Sequence, residues 1–258
     1  MQRLLTTLLF ILFAANAAFA GDINIPILTY HNFEPVKPGI VTISTARFEE
    51  QLQYIKEHGY TIIPLKEAVA YLQGKKKSLP AKPVVITIDD GRITVYQNLL
   101  PLVKKYNIPV TLFIYPSITS HESYAMTWEQ IKELQKTGLF DIQSHTYTHP
   151  DFNDDQKQMT PAAYQEAVKS ELEKSKNIIQ DKLGVKVTLL AWPFGKYNPY
   201  VEQQAKKSGY VMAFSIDERS ASRSENAMTM PRYMVLAKHG MQIFAAMLKS
   251  EYVRPSSH

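Results

Sequence analysis

Short apolar runs alternate with amphipathic stretches along most of the chain. The apolar runs are rich in Val and Ile and nearly continuous, which is typical of strands buried on both faces of a parallel sheet. Between them, apolar residues recur at helical spacing, as in Phe48, Leu52 and Ile55 ahead of Gly59. The predicted strands are 25–30, 61–63, 84–88, 110–114, 140–144, 187–191 and 211–215, and the predicted helices are 46–57, 65–72, 95–106, 128–135, 161–183, 199–208 and 241–252. This alternation, without a Gly-, Ser- or Pro-rich linker, predicts a single α/β domain of βα repeats, built as a barrel or a doubly wound sheet.

The first 20 residues have the pattern of a cleaved secretory signal peptide. Gln2 and Arg3 give a short positive start, residues 4–18 are largely apolar, and Ala18 and Ala20 form a small-x-small cleavage pattern. An uncleaved membrane anchor is the alternative, although the run is short for a bilayer span. No Cys follows the cleavage pattern, so a lipoprotein anchor is excluded. We therefore expect residues 21–258 to be the mature domain, secreted or periplasmic, with no stable membrane span.

Composition narrows the classes of function. The chain has 258 residues, 45% of them hydrophobic and 21% charged, as in ordinary globular proteins. Its formal charge of +5 is spread along the chain, and the longest basic run is at 75–77, so nucleic acid is not an expected partner. Cysteine is absent, which excludes disulfides, a thiol nucleophile and a Cys-based zinc site. The dinucleotide, P-loop, α/β-hydrolase and HExxH motifs are also absent from the sequence.

Two adjacent carboxylates end the predicted strand 84–88, in the segment TIDDG at 87–91. On its own, Asp-Asp-Gly is typical of a turn. However, two carboxylates at a partly buried strand end repel each other and are costly to desolvate, so a cation that neutralises one of them would stabilise the pair. One carboxylate then binds the metal, and the other stays free as a base.

Two histidines follow the predicted strand 140–144, in the segment SHTYTHP at 144–150. His145 and His149 lie at i and i+4, a spacing that brings two side chains to one side of a helical turn or tight loop. A pair of ordinary loop histidines is the alternative. Together with Asp90 they supply two nitrogens and one oxygen, which is the three-ligand pattern of a catalytic zinc site with a fourth position open to water.

An aromatic turn follows the predicted strand 187–191. Pro193 and Gly195 favour a rigid turn, and Trp192, Phe194 and Tyr197 surround it with aromatic surface. Plain loop packing explains this pattern as well as a functional role does. The functional interpretation is a wall for sugar rings, with backbone N–H groups that can face a developing oxyanion.

Together the three segments resemble motifs of the polysaccharide deacetylases, the NodB-homology carbohydrate esterases. TIDDG is similar to that family's T-F-D-D-G motif, HTYTH at 145–149 to its H-[ST]-x-x-H motif, and PFG at 193–195 to its P-[YF]-G core. The opening PILTYH at 26–31 is similar to exported members related to the biofilm poly-β-1,6-N-acetylglucosamine deacetylases. The resemblance spans about 26–235 and implies a distorted (β/α)7 barrel.

The resemblance also implies a reaction. Asp89 would be the general base, and Asp90, His145 and His149 would hold Zn2+ or another divalent metal, with the Phe194 N–H facing the oxyanion. The implied protein is a secreted metal-dependent deacetylase, and its substrate is an N-acetylhexosamine polymer such as poly-N-acetylglucosamine, a chitin-like chain or peptidoglycan glycan. An O-acetyl glycan esterase using the same site is one alternative. A carbohydrate-binding module that kept the metal site and lost catalysis is another.

This sequence departs from the family pattern at two catalytic positions. Ala191 stands where many members carry an arginine that orients the base, and we expect Arg232 to pair with Asp89 and partly replace it. The family's late L-x-H motif, which supplies the general acid, has no clean match. His239 is a candidate for that acid, with a surface histidine at a helix start as the alternative. His31 could lie near the metal, but we expect it to brace a strand end.

Two charged segments are predicted to be exposed to solvent. Asp151, Asp154 and Asp155 resemble a calcium loop only loosely and indicate a solvated acidic turn. In the helix predicted at 161–183, glutamates that include Glu171 alternate with lysines, which is typical of an exposed face rather than a site.

Overall fold

A computed structural model describes residues 23–34 and 39–253, so the signal peptide expected at 1–20 lies outside the described residues. The strands are β1 (Ile27–Tyr30), β2 (Asn32–Glu34), β3 (Thr42–Ser44), β4 (Thr61–Ile62), β5 (Pro83–Ile88), β6 (Val110–Ile114), β7 (Phe140–Ser144), β8 (Leu189–Ala191), β9 (Met212–Phe214) and β10 (Tyr233–Met234). The helices are α1 (Thr45–Glu57), α2 (Leu65–Leu72), α3 (Leu100–Tyr106), α4 (Trp128–Lys136), α5 (Phe152–Gln158), α6 (Pro161–Leu183), α7 (Pro199–Lys207) and α8 (Met241–Leu248). Within the described ranges, no helix combines the length and apolar character needed to span a membrane.

The main sheet is parallel and curls into a distorted barrel. Its strand order is β10-β1-β5-β6-β7-β8-β9, and β4 pairs with β5 beside this path. The sheet ends approach each other, because Met230, just before β10, forms a parallel bridge with Phe214 of β9. The barrel expected from the sequence is therefore confirmed, and the doubly wound alternative is wrong.

Side chains alternate between two cores along the strands, as the period of a strand requires. Leu28, Ile86 and Leu112 pack against the surrounding helices. Val85 and Phe113 point to the opposite face, inside the curl, where they share a core with α2. The alternation of β5 continues into Asp89, the residue that follows this strand. Asp89 therefore lies inside the barrel at the carboxyl ends of the strands, where parallel α/β folds place their chemistry.

Local sequence explains where the observed elements differ from the predicted ones. The helix predicted at 95–106 begins as a π-helical segment, Val95–Leu99, and becomes regular only in α3, because Pro101 has no N–H to continue the α-helical ladder. The acidic turn predicted after His149 is wrong: Asp151 accepts hydrogen bonds from the N–H groups of Asn153 and Asp154 and caps α5. The short parallel pair β2–β3 and strand β10 were also missed, and none of the three exceeds three residues.

Candidate active site

An ion pair lies inside the barrel, next to its carboxyl end. Arg232 is fully buried, and its guanidinium lies 5.4 Å from the ring centre of Phe113. Its Nη1 donates to Asp89 Oδ1 at 2.9 Å, and its Nη2 donates to Asp89 Oδ2 at 2.7 Å. Nη1 also donates to Thr87 Oγ1 at 3.2 Å, and Nε donates to the Ser215 carbonyl oxygen at 3.1 Å. The pairing of Arg232 with Asp89 expected from the sequence is thus present. It is bidentate, which fixes the plane of the carboxylate.

The charge of Asp89 is set by two opposing effects. Burial disfavours the carboxylate, but Arg232, followed by His145, outweighs burial and lowers the pKa of Asp89 to about 2. A buried carboxylate is tolerated only where a partner compensates it. Asp89 is therefore ionised throughout the neutral range, and its orientation is fixed by Arg232.

Asp90 faces a different environment, although it is the next residue. Its backbone is left-handed, with φ of 78°, and its side chain lies at the rim of the barrel beside two histidines. Asp90 Oδ1 lies 3.6 Å from His145 Nε2 and 3.7 Å from His149 Nε2. One ligand atom from each of the three residues lies within 4.8 Å of the other two. The structure therefore brings together the three ligands that the sequence predicts.

The turn after these carboxylates requires a glycine. Gly91 also has a left-handed backbone, with φ of 78°, and a Cβ atom there would lie 3.0 Å from Ile114 Cγ2. A side chain would strain the backbone and crowd the end of β6. The Asp-Asp-Gly sequence thus forms a turn, and this turn directs the two carboxylates to different surroundings.

The chemistry of the donor set fits a divalent cation. His145 Nδ1 lies 2.8 Å from the Ala191 carbonyl oxygen, so Nδ1–H donates there and Nε2 is the ring nitrogen that faces Asp90. Burial, and then the neighbouring His145, lower the pKa of His149 to about 4, so its imidazole is neutral at pH 7. One carboxylate oxygen and two neutral imidazole nitrogens are ligands that zinc and similar metals accept.

The site opens into a cavity of about 290 Å³. Its lining combines the charged centre with an apolar wall: His31, Val41, Asp89, Asp90, His145, His149, Trp192, Phe194, Gly195, Ile216 and Met234. Phe194 is 56% exposed, and its ring centre lies 4.5 Å from that of His149. Gly195 has φ of 68°, and a Cβ atom there would lie 2.2 Å from Ile216 Cγ1, so this turn also requires glycine.

Two of the residues predicted for the substrate wall lie elsewhere. The Tyr197 hydroxyl donates to Asp217 Oδ2 at 3.1 Å, and Pro193 is buried beneath the turn; neither is among the residues that line the cavity. Trp192 reaches the cavity, but it is fully buried, with Nε1 donating to the Met228 carbonyl oxygen at 2.7 Å. Of the predicted aromatic wall, Phe194 alone is both exposed and part of the lining.

The structure places two histidines, His239 and His31, differently from what their candidate roles require. His239 is buried beside Tyr252, its Nδ1 accepts from the Leu236 N–H at 3.2 Å, and it is not among the cavity-lining residues. His31 lines the cavity, and its Nδ1 is buried without a hydrogen-bond partner among the described residues. The expectation that His31 only braces a strand end is therefore wrong. Its position could have been read from the sequence, because it directly follows β1, the parallel neighbour of β5.

Both the sequence and the fold of this chain are similar to those of known proteins. Residues 76–213 match the family model described as polysaccharide deacetylase. The Bacillus subtilis protein YxkH is 31% identical over 228 residues, which cover 88% of this chain and 77% of that protein. A Staphylococcus aureus poly-beta-1,6-N-acetyl-D-glucosamine N-deacetylase is 28% identical over 198 residues, which cover 75% of this chain and 68% of that protein. The solved structure of the Streptococcus pyogenes deacetylase PplD in complex with acetate is 27% identical, has a TM-score of 0.77, and covers 90% of this chain and 100% of that one.

Proposed function

Because this chain belongs to the polysaccharide deacetylase family, we propose that it is an exported, zinc-dependent enzyme that removes N-acetyl groups from an N-acetylhexosamine polymer. The observation that carries the proposal is the gathering of Asp90, His145 and His149 beside the buried Asp89 carboxylate, at the mouth of one cavity. Metal ligands next to an unligated, ionised carboxylate are the arrangement that hydrolysis of an amide needs.

In the proposed enzyme, Asp90, His145 and His149 hold the metal, and zinc suits a set of two nitrogens and one oxygen. When bound, the cation polarises the acetyl carbonyl and lowers the pKa of the attacking water. The protein's own contribution is to fix the ligands, and the hydrogen bond from His145 to the Ala191 carbonyl oxygen does so by setting the tautomer.

Asp89 accepts the proton of the attacking water. Its low pKa makes it a weak base in isolation, but it is ionised at every pH at which the enzyme would work. Arg232 holds both carboxylate oxygens, so the direction in which Asp89 receives the proton is set before the substrate arrives. Arg232 thereby fills the role that the family's arginine would have had at Ala191.

The remaining two roles belong to the cavity wall. The Phe194 N–H, on the left-handed turn beside the histidines, donates to the developing oxyanion. His31 then protonates the nitrogen of the leaving amine as the C–N bond breaks, so that acetate and a free amino sugar are released. His31 replaces His239 in this role because it lines the cavity with an unpartnered ring nitrogen.

For the substrate we propose poly-β-1,6-N-acetylglucosamine first, because a relative that aligns with 75% of this chain carries that activity in its name. The binding-module alternative loses its support, since it rested on the missing arginine and the missing acid, and Arg232 and His31 occupy the site. The O-acetyl esterase alternative uses the same residues and differs only in the bond that is cleaved.

A panel of acetylated glycans tests the proposal. The protein spanning residues 21–258, loaded with zinc, should release acetate from β-1,6-linked N-acetylglucosamine oligomers faster than from chitooligosaccharides, peptidoglycan glycan or O-acetylated xylan. A chelator should abolish the release, and added zinc should restore it. Absence of acetate release from every N-acetylated substrate by zinc-loaded protein would refute the proposed activity.

Export is a separate part of the proposal, with residues 1–20 as the signal peptide and 21–258 as the deacetylase domain. It is supported by the charged start, the apolar run and the Ala18-x-Ala20 pattern. Intact mass of the protein recovered outside the cytoplasm should correspond to a chain beginning at Gly21. Recovery of the full-length chain in the membrane fraction would instead support the uncleaved anchor.

A further inference from the structure

Helix α6 contacts the loop that carries the two histidines. We call residues 145–149 the histidine loop. Glu171 Oε2 accepts hydrogen bonds from the backbone N–H groups of Tyr147 and Thr148, each at 2.8 Å. Its other oxygen, Oε1, accepts from Thr148 Oγ1 at 2.6 Å. The interpretation of Glu171 as part of a solvated helix face is therefore wrong, because three hydrogen bonds join it to the loop.

A second contact from the same helix face secures the start of the loop. Ser175 lies one turn after Glu171, and its Oγ is 2.8 Å from Ser144 Oγ, in the residue that precedes His145. Ser144 Oγ in turn accepts from the Thr146 N–H at 3.2 Å. Helix α6 thus contacts the residue just before the histidine loop and also the backbone between the two histidines.

The histidine loop needs such support because its backbone is unusual. Thr146 and His149 both have left-handed conformations, with φ of 67° and 65°. Residues other than glycine rarely adopt this conformation and keep it only where the surroundings fix it. The loop that contains these two conformations has both imidazoles close to Asp90, with Nε2 atoms 3.6 and 3.7 Å from Asp90 Oδ1.

From these contacts we infer that Glu171 is a positioning residue for the metal centre, which holds the histidine loop so that His145 and His149 can bind one cation together. The inference rests on the proposed metal site. The hydrogen bonds of Glu171 go to Tyr147 and Thr148, so it acts on the two histidines through the backbone between them. The carboxylate suits this role because it can accept from two adjacent N–H groups and a hydroxyl at once.

Loss of Glu171 should loosen the loop and leave the rest of the protein folded. Helix α6 is anchored by its apolar face, which includes Val168, Leu172 and Ile179, all fully buried. Glu171 is only partly buried. A purely structural role predicts a lower unfolding temperature with unchanged metal affinity. A positioning role predicts weaker metal affinity with a nearly unchanged unfolding temperature.

Zinc affinity of the variant Glu171→Ala, measured by competition with a chromogenic chelator and without substrate, tests the inference. Alanine removes both acceptor oxygens and with them all three hydrogen bonds to the histidine loop, whereas an amide could keep all three because the Thr148 hydroxyl can accept as well as donate. We expect the Kd for zinc to rise about 10- to 100-fold, as is typical when a group that orients a ligand is removed. The unfolding temperature of the metal-free variant should stay close to wild type, and saturating zinc should restore most of the turnover.

Two further variants make the result specific. Glu173→Ala removes the same side chain from an exposed position about 200° around the same helix, so it should leave the Kd unchanged. Thr148→Ala removes one of the three hydrogen bonds from an exposed side chain, so it should fold normally and raise the Kd a few-fold.

The inference fails if Glu171→Ala and Thr148→Ala bind zinc as wild type does, or if Glu171→Ala lowers the unfolding temperature and leaves the Kd unchanged. That outcome leaves the proposed deacetylase intact. If the wild-type protein itself takes up no zinc or other divalent metal, the metal site of the proposed function fails and this inference fails with it.

Discussion

Asp89 and Asp90 are neighbours in sequence but belong to two regions of the molecule with different physics. Asp89 lies in the barrel interior, 2% exposed and held by both arms of Arg232. Asp90 lies at the rim, where a left-handed backbone turns it towards His145 and His149. The interior pair compensates its charge within the protein, whereas the rim triad gathers electron-pair donors that a cation can share. One turn therefore places two identical side chains in two environments, which suit the proposed base and the proposed metal ligand.

Breaking the interior pair should have the largest effect. Arg232→Met leaves Asp89 as a buried charge without its partner, which typically costs about 3–5 kcal/mol of unfolding free energy. Urea unfolding at pH 7 measures this cost. Arg219→Met serves as the control, because Arg219 pairs with Glu225 at the surface and such pairs contribute about 1 kcal/mol or less. Equal losses in the two variants would show that the interior pair is not special.

Removing a rim ligand should separate metal binding from folding. His145→Ala deletes one of three ligand atoms, and we expect the Kd for zinc to rise by more than about 100-fold. The metal-free variant should unfold in urea close to wild type, within about 2 kcal/mol, because the loss is one buried ring with a single strong hydrogen bond. Retention of zinc affinity by His145→Ala would remove His145 from the metal site.

Acid should destabilise the two regions of the metal-free protein in different ranges of pH. The pKa of Asp89 falls from 3.8 to about 2 on folding, so its stabilising contribution, about 2 kcal/mol, is present above pH 3.8 and is lost as the pH falls towards 2. Burial, and then His145, lower the pKa of His149 from 6.5 to about 4. The unfolded state therefore binds this proton more readily, and the folded state loses stability earlier, as the pH falls from 6.5 towards 4.

Unfolding free energy measured in urea at successive pH values resolves these two ranges. The variant His149→Gln should lose the dependence between pH 6.5 and 4 that His149 contributes and should keep the loss below pH 3.8. A variant curve parallel to wild type over the whole range would show that His149 does not titrate as its burial requires.

The smallest effect is expected at the exposed wall. Phe194→Ala removes a ring that is 56% exposed beside the histidines, so stability should change by no more than about 0.5 kcal/mol. Loss of ring contact with a sugar should raise the KM for the glycan about fivefold, which corresponds to about 1 kcal/mol. Tyr197→Phe is the matched control, since Tyr197 is outside the cavity lining and its KM should not change. Equal KM values for both variants would exclude Phe194 from sugar binding.

The parts of the site at strand ends could be predicted from the sequence. Asp90, His145 and Phe194 all follow short apolar runs, and parallel strands bring such ends to one edge of the barrel. The pairing of Arg232 with Asp89, which are far apart in the chain, was predicted because Ala191 stands where the family pattern has an arginine. Periodicity did not predict it.

The parts that depend on tertiary contacts could not be predicted. Glu171 alternates with lysines like any solvated helix residue, and only the fold shows the histidine loop against it. His31 and His239 are both single histidines near apolar segments, and burial together with the cavity distinguishes them. The helix α5 was missed because its sequence is almost entirely polar and its one buried apolar residue is Phe152.

Zinc stoichiometry and acetate release, measured together on Asp89→Asn and Asp90→Asn, test the central claim most directly. Asp89→Asn should bind one zinc ion per chain and release no acetate, because the ligands remain and the base is gone. Asp90→Asn should fail to retain zinc at the same concentration. Turnover near wild type in Asp89→Asn, or zinc retained by Asp90→Asn and lost by Asp89→Asn, would contradict the division of roles between the two neighbouring carboxylates.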